Sequence, residues 1–132
     1  MVEAYRRQSA LAHLHLAQAD GEEGAAERQA AAVTLFERPH LGQINVRGQG
    51  EAFADAVKSV LGFALPTRAN SAFGNSDLAK GPRALWLGPD EWLVVSAPGK
   101  ETALAKALSA AVEQHHASVV DVGEGRAVIG LA

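Results

Sequence analysis

The sequence predicts an α+β domain of the ferredoxin-like class: a βαββαβ antiparallel sheet with both helices on one face, an added C-terminal strand and an N-terminal arm. Three observations predict it. Gln43-Ile44-Asn45-Val46-Arg47 alternates polar and apolar, as a strand with one buried face does. Two stretches, residues 51–61 and 101–115, repeat apolar side chains at helical spacing. Between them, two apolar runs flank Gly88-Pro89-Asp90-Glu91, which is turn chemistry: Pro89 presets φ for the second position of a β-turn and Asp90 suits the third.

Residues 1–32 form the arm and a linker, and residues 33–132 the domain. Around residues 9–19, Leu11 and Leu14 fall on one side of a helical turn or two, and the small, charged stretch from Asp20 to Ala32 reads as a linker. Arg6-Arg7 ahead of an alanine- and leucine-rich run mimics a twin-arginine signal. Two histidines and a glutamine break that run, so it makes a poor hydrophobic segment. Val33-Thr34-Leu35-Phe36 are β-formers that stop before Pro39. After the first clear strand, Gly48-Gln49-Gly50 turns the chain into a helix. There Phe53, Val57, Val60 and Leu61 make the inner face and Gly62 the stop. The 67–82 segment, rich in Gly, Asn, Ser and Pro, reads as a long loop, and loops of that length tend to be functional or to sit at an interface. In the second helix Leu104, Leu108, Ala111 and Val112 face inward. Strands at 118–122 and 126–131 follow.

The hairpin carries the main functional expectation. With Gly88 to Glu91 as a four-residue turn, Leu87 lies opposite Trp92 and Trp86 opposite Leu93, so Trp86 and Leu93 share one face. The helices cover one side of the sheet only. Trp86 and Leu93 then need cover from the N-terminal arm, the long loop or another polypeptide, and in the last case they are the candidate subunit interface.

Composition sets outer bounds. Of 132 residues, 48 % are hydrophobic and 20 % charged, ordinary values for one globular domain. A net charge of −3 with no dense Lys/Arg cluster argues against nucleic acid as a partner. No apolar run approaches the ~18 residues of a membrane span, so no membrane partner is expected. Cysteine is absent, which removes thiolate chemistry and fits a cytoplasmic location.

No catalytic set assembles from the sequence. Gly48-Gln49-Gly50 lacks the third glycine of a dinucleotide turn, where Phe53 stands. Asp90 and Glu91 are neighbours in a turn, and His13, His15, His115 and His116 form no set of three or four metal ligands. Asp121, in an apolar strand, is the carboxylate to watch; a backbone group or Arg126 across the turn would be its partner. Catalytic, cofactor-binding and metal residues are therefore all expected to be none.

Several segments resemble one family. Ser9-Ala10-Leu11, the run from Glu37-Arg38-Pro39-His40-Leu41-Gly42 through Gln43-Ile44-Asn45-Val46-Arg47-Gly48, Leu65-Pro66, residues 84–95, and Asp121-Val122 with Gly125-Arg126 resemble the gamma subunit of heterotetrameric sarcosine oxidase. The likeness runs in order from about Ser9 to the end. The block Leu85-Trp86-Leu87-Gly88-Pro89-Asp90-Glu91-Trp92 is shared more loosely with the glycine-cleavage aminomethyltransferase and related folate-binding proteins, whose N-terminal part the fold would resemble.

The resemblance implies an oxidoreductase complex that demethylates sarcosine to glycine, forms hydrogen peroxide and passes the one-carbon unit to tetrahydrofolate. FAD, FMN, NAD and tetrahydrofolate would sit on the alpha and beta subunits, and a small zinc-binding delta subunit would complete the assembly. The gamma subunit would hold no cofactor and act in assembly and stability. The family continues for several dozen residues past the equivalent of Leu131, so the chain is expected to be cut short at its C-terminus. The rival reading is a free-standing folate or one-carbon binding protein with the 67–82 loop closing a pocket. Titration with tetrahydrofolate separates the two.

Overall fold

The computed structural model describes residues 7–15 and 32–131. In chain order the strands are β1 (Leu35–Glu37), β2 (Gly42–Arg47), β3 (Ala72–Gly74), β4 (Arg83–Gly88), β5 (Glu91–Ser96), β6 (Ser118–Asp121) and β7 (Ile129–Leu131). The α-helices are α1 (Glu51–Leu61) and α2 (Glu101–Ala111), and short 3-10 turns lie at Ala12–Leu14 and Gly123–Gly125. The chain divides into two compact units, one made of residues 40–124 and the other of the segments before and after it.

In the 40–124 unit, five strands form an antiparallel sheet in the order β3-β4-β5-β2-β6. Setting β3 aside, this is the split βαββαβ topology the sequence predicts. The alternation in β2 places Ile44 and Val46 on the inner face, where both are fully buried. Phe53, Val57 and Leu61 of α1 and Leu108 of α2 meet them, together with Ala84, Trp92, Val94 and Val112. Each such side chain contributes about 1.5–3 kcal/mol when fully removed from water.

Gly62 ends α1 as expected, at φ 80° with its N–H on the Lys58 carbonyl at 2.9 Å, a left-handed cap that suits glycine. α2 stops at Ala111, short of the expected residue 115, and the chain turns through His115, whose backbone N–H bonds the Val112 carbonyl at 2.8 Å.

α2 begins on Lys100, which offers no side-chain cap. Lys100 has helical dihedrals (φ −97°, ψ −13°), so the effect at this position is electrostatic: a cation at this end opposes the helix dipole, whereas a carboxylate would favour it. Lys100→Asp should therefore stabilise the chain by about 0.3–1 kcal/mol, read as a higher urea midpoint with an unchanged slope.

The segment read as a structureless loop contains β3, which pairs with β4 through Ala72↔Leu85, Phe73↔Ala84 and Gly74↔Arg83. Asn75 closes the remainder. Both its backbone N–H (3.1 Å) and its side-chain Nδ2 (3.3 Å) donate to the Pro82 carbonyl, so residues 76–81 form a pinched excursion.

In the other unit, β1 pairs antiparallel with β7, with Phe36 opposite Gly130. The C-terminal strand the sequence predicts is thus present at Ile129–Leu131, and its partner is β1. A side chain at Gly130 would run into the Phe36 ring, so the bare glycine gives the aromatic its seat. The Arg38 N–H extends the pairing to the Val128 carbonyl at 2.8 Å, and Ser9 Oγ donates to Glu37 Oε2 at 2.8 Å. The linker reading of residues 20–32 falls almost entirely outside the described residues.

Candidate functional site

The hairpin is where the sequence predicts it, with a different register. Trp86 pairs with Trp92, Leu85 with Leu93 and Ala84 with Val94; the ladder then skips to Gly88↔Glu91. Leu87 is the surplus residue of a β-bulge and is 44 % exposed. The offset of one moves side chains to opposite faces. Trp86 and Leu93, expected on one face, therefore lie on different ones. Trp86 joins Trp92 on the helix-covered side and packs, half-buried, against the core. Trp92 is 6 % exposed, its ring centroid lies 6.0 Å from that of Phe53, and its Nε1–H donates to the Pro66 carbonyl at 2.7 Å. That bond pins the chain leaving α1 to the sheet.

Leu93 remains on the face turned away from the helices, where Gln43 of β2 is itself buried. Cross-strand register places it in one row with Leu85 of β4, Asn45 of β2 and Val120 of β6. Val95 lies two residues along β5 on the same face. Both helices of the unit pack on the opposite face, through the buried cluster. Leu85, Leu93 and Val95 are half-buried and Val120 is 51 % exposed. The row is polar where Asn45 Nδ2 donates to Glu91 Oε1 at 2.7 Å. Beside it, Arg47 lies 3.8 Å from Asp90, both partly exposed. The result is an apolar patch of Leu85, Leu93 and Val95 on β4 and β5, bordered by the polar β2 stripe of Gln43, Asn45 and Arg47, with Val120 beyond that stripe on β6; an apolar centre beside polar groups is the anatomy of a protein-docking surface.

The other residues singled out in the sequence stay apart. His13 and His15 are exposed at the 3-10 turn, and no group of three or more His, Asp or Glu among the described residues is placed to hold a metal ion. Asp121 is exposed, and its Oδ1 accepts the Gly123 N–H at 2.9 Å; of the two partners expected, the backbone is the one found. Gly48 lies against the Phe53 ring so closely that a Cβ there would collide with it, which gives the glycine turn a packing role. His115 and His116 border an open, polar recess with Arg47, Asp90 and Ser118. No described helix is long and apolar enough to cross a membrane.

Comparison with known proteins places this geometry. The model of the sarcosine oxidase, gamma subunit family matches residues 45–132, which hold the whole α1-to-β7 region. The chain belongs to the sarcosine oxidase gamma subunit family. Gamma subunits from Arthrobacter sp and from Corynebacterium sp. (strain P-1) are 35 % and 32 % identical to it over 127 residues, 96 % of this chain and 57 % of each relative. A chain of the heterotetrameric sarcosine oxidase from Corynebacterium sp. U-96 superposes with a TM-score of 0.73 at 30 % identity, covering 95 % of this chain and 60 % of that one. This gamma-family chain thus spans less than two thirds of the relatives it matches.

Proposed function

We propose that this chain is a non-catalytic subunit of a heterotetrameric sarcosine oxidase, acting in assembly and stability of the complex. The observation that carries the reading is the apolar patch of Leu85, Leu93 and Val95 on a sheet face that neither helix of its unit covers. Family membership supports it, because the similar chain of known structure is part of a heterotetrameric sarcosine oxidase. In this reading the alpha and beta subunits supply the FAD, FMN, NAD and tetrahydrofolate sites, the demethylation of sarcosine to glycine happens on them, and the delta subunit completes the assembly. The chain works in the cytoplasm and contributes surface. Of the two interface residues expected from sequence, Leu93 is the one that docks, with Leu85 as its neighbour.

The test is co-expression with the three other subunits, followed by purification through a tag on the alpha subunit. Leu93→Asp should reduce the recovered gamma chain at least tenfold per flavin, a difference of about 1.4 kcal/mol or more. The same variant in isolation should keep its circular dichroism and lose no more than about 1–2 kcal/mol of stability, since Leu93 is only half-buried. Full recovery of Leu93→Asp with the flavin-containing complex would sink the docking surface.

A further inference from the structure

Residues 78–82, in the excursion pinched off by Asn75, form one wall of a cavity of about 330 Å³ whose other wall is the first turns of α2. Its apolar lining comes from Leu78 and Pro82 on the excursion, Ala97 below, and Ala103 and Leu104 on α2. The charged side chains at its edge are Lys80 and Lys100, and no carboxylate lines it. We propose that this cavity binds a small organic anion with an aliphatic body and a single carboxylate head, independently of any assembly with other subunits.

Three features carry the assignment. The volume lies in the range of small-molecule pockets, and an apolar lining with a few converging polar groups is their usual make-up. The excursion wall is built in advance: Asn75 holds its neck through two bonds to the Pro82 carbonyl, Ala79 N–H donates to Asp77 Oδ1 at 3.0 Å, and Lys80 N–H bonds the Asp77 carbonyl at 3.0 Å. A preformed wall lowers the ordering cost of binding.

Lys100, finally, breaks a local rule. It stands at a helix start where a carboxylate would suit the dipole better than a cation, and such violations mark places where something besides the fold is being served. Lys80 already meets Asp77 at 3.7 Å, but both groups are more than half exposed, so that pair holds it weakly and leaves it able to turn to a ligand. Glu101, next to Lys100, is 7 % exposed and does not line the cavity. The head group would lie between the two ammonium groups and the body against Leu78 and Leu104.

The probe is octanoate, kept below its micellar concentration and titrated into the full chain by calorimetry and by backbone NMR. Saturable one-to-one binding is expected, with shifts centred on Ala97, Ala103 and Leu104. Octan-1-ol, with the same body and no charge, should bind at least tenfold more weakly. Lys100→Asp should weaken octanoate at least tenfold while raising the unfolding midpoint, a split that general destabilisation would not give. Lys80→Gln should weaken binding in the same direction with no change in midpoint. Octanol binding as well as octanoate, an affinity untouched by Lys100→Asp, or no saturable binding would each overturn the assignment.

Discussion

Phe53→Ala is expected to cost about 3–5 kcal/mol, a large share of the roughly 5–15 kcal/mol that stabilises a domain in total. Phe53 is 1 % exposed and lies between α1 and the sheet, against Trp92 on one side and the bare backbone of Gly48 on the other. Collapse cannot fill the space, because Trp92 is tied to the Pro66 carbonyl and Gly48 has no side chain to offer. Urea unfolding followed by Trp fluorescence reads the loss directly. A destabilisation under about 1 kcal/mol would mean that the region repacks and that Phe53 is not the keystone the burial suggests.

The second large effect is expected at Gly42→Ala. A Cβ there would collide with Ser96 Oγ and sit 2.8 Å from Glu101 Cβ and 3.3 Å from its Cα, so the first turn of α2 must move. Such overpacking costs about 1–3 kcal/mol, and the backbone atom among the contacts places this site at the upper end. Ser96→Ala removes the nearest obstacle at the expense of a long bond from Ser96 Oγ to the Ala97 carbonyl, 3.3 Å. The double variant should therefore be more stable than the sum of the two single losses, by roughly 0.5–1.5 kcal/mol of coupling. Strict additivity in urea midpoints would show that Ser96 is not what Gly42 makes room for.

How much of this was legible in the sequence differs from element to element. The α1 helix was readable to its last residue because Phe53, Val57 and Leu61 set the period and Gly62 marks the end. The hairpin was readable as a hairpin. Its register was not, because register shows through alternation, and Leu85-Trp86-Leu87 is apolar without a break. With no polar residue to mark a face, a single bulged Leu87 moved Trp86 from the face turned away from the helices to the core.

β3 left no trace in the sequence, since three residues among glycines, asparagines and serines cannot show a period. The partner of β7 was equally hidden: a strand pattern says that a segment pairs, not with what. The apolar patch was half legible, through Leu93. Leu85 joins it only through cross-strand register. The cavity beside α2 was invisible for the same reason, because it arises where a loop folds back onto a helix start.

The three-residue β3 hangs on the end of a sheet whose centre is far better protected: every one of its residues is exposed, while Val94 and Ile44, further in, are wholly buried. Amide protons at Ala72 to Gly74 should accordingly exchange with deuterium long before those of β2 and β5. Because the 78–82 wall hangs between β3 and β4, a brief peeling of this edge would also swing that wall aside. The wall would thus breathe with the margin of the sheet while the central strands stay closed.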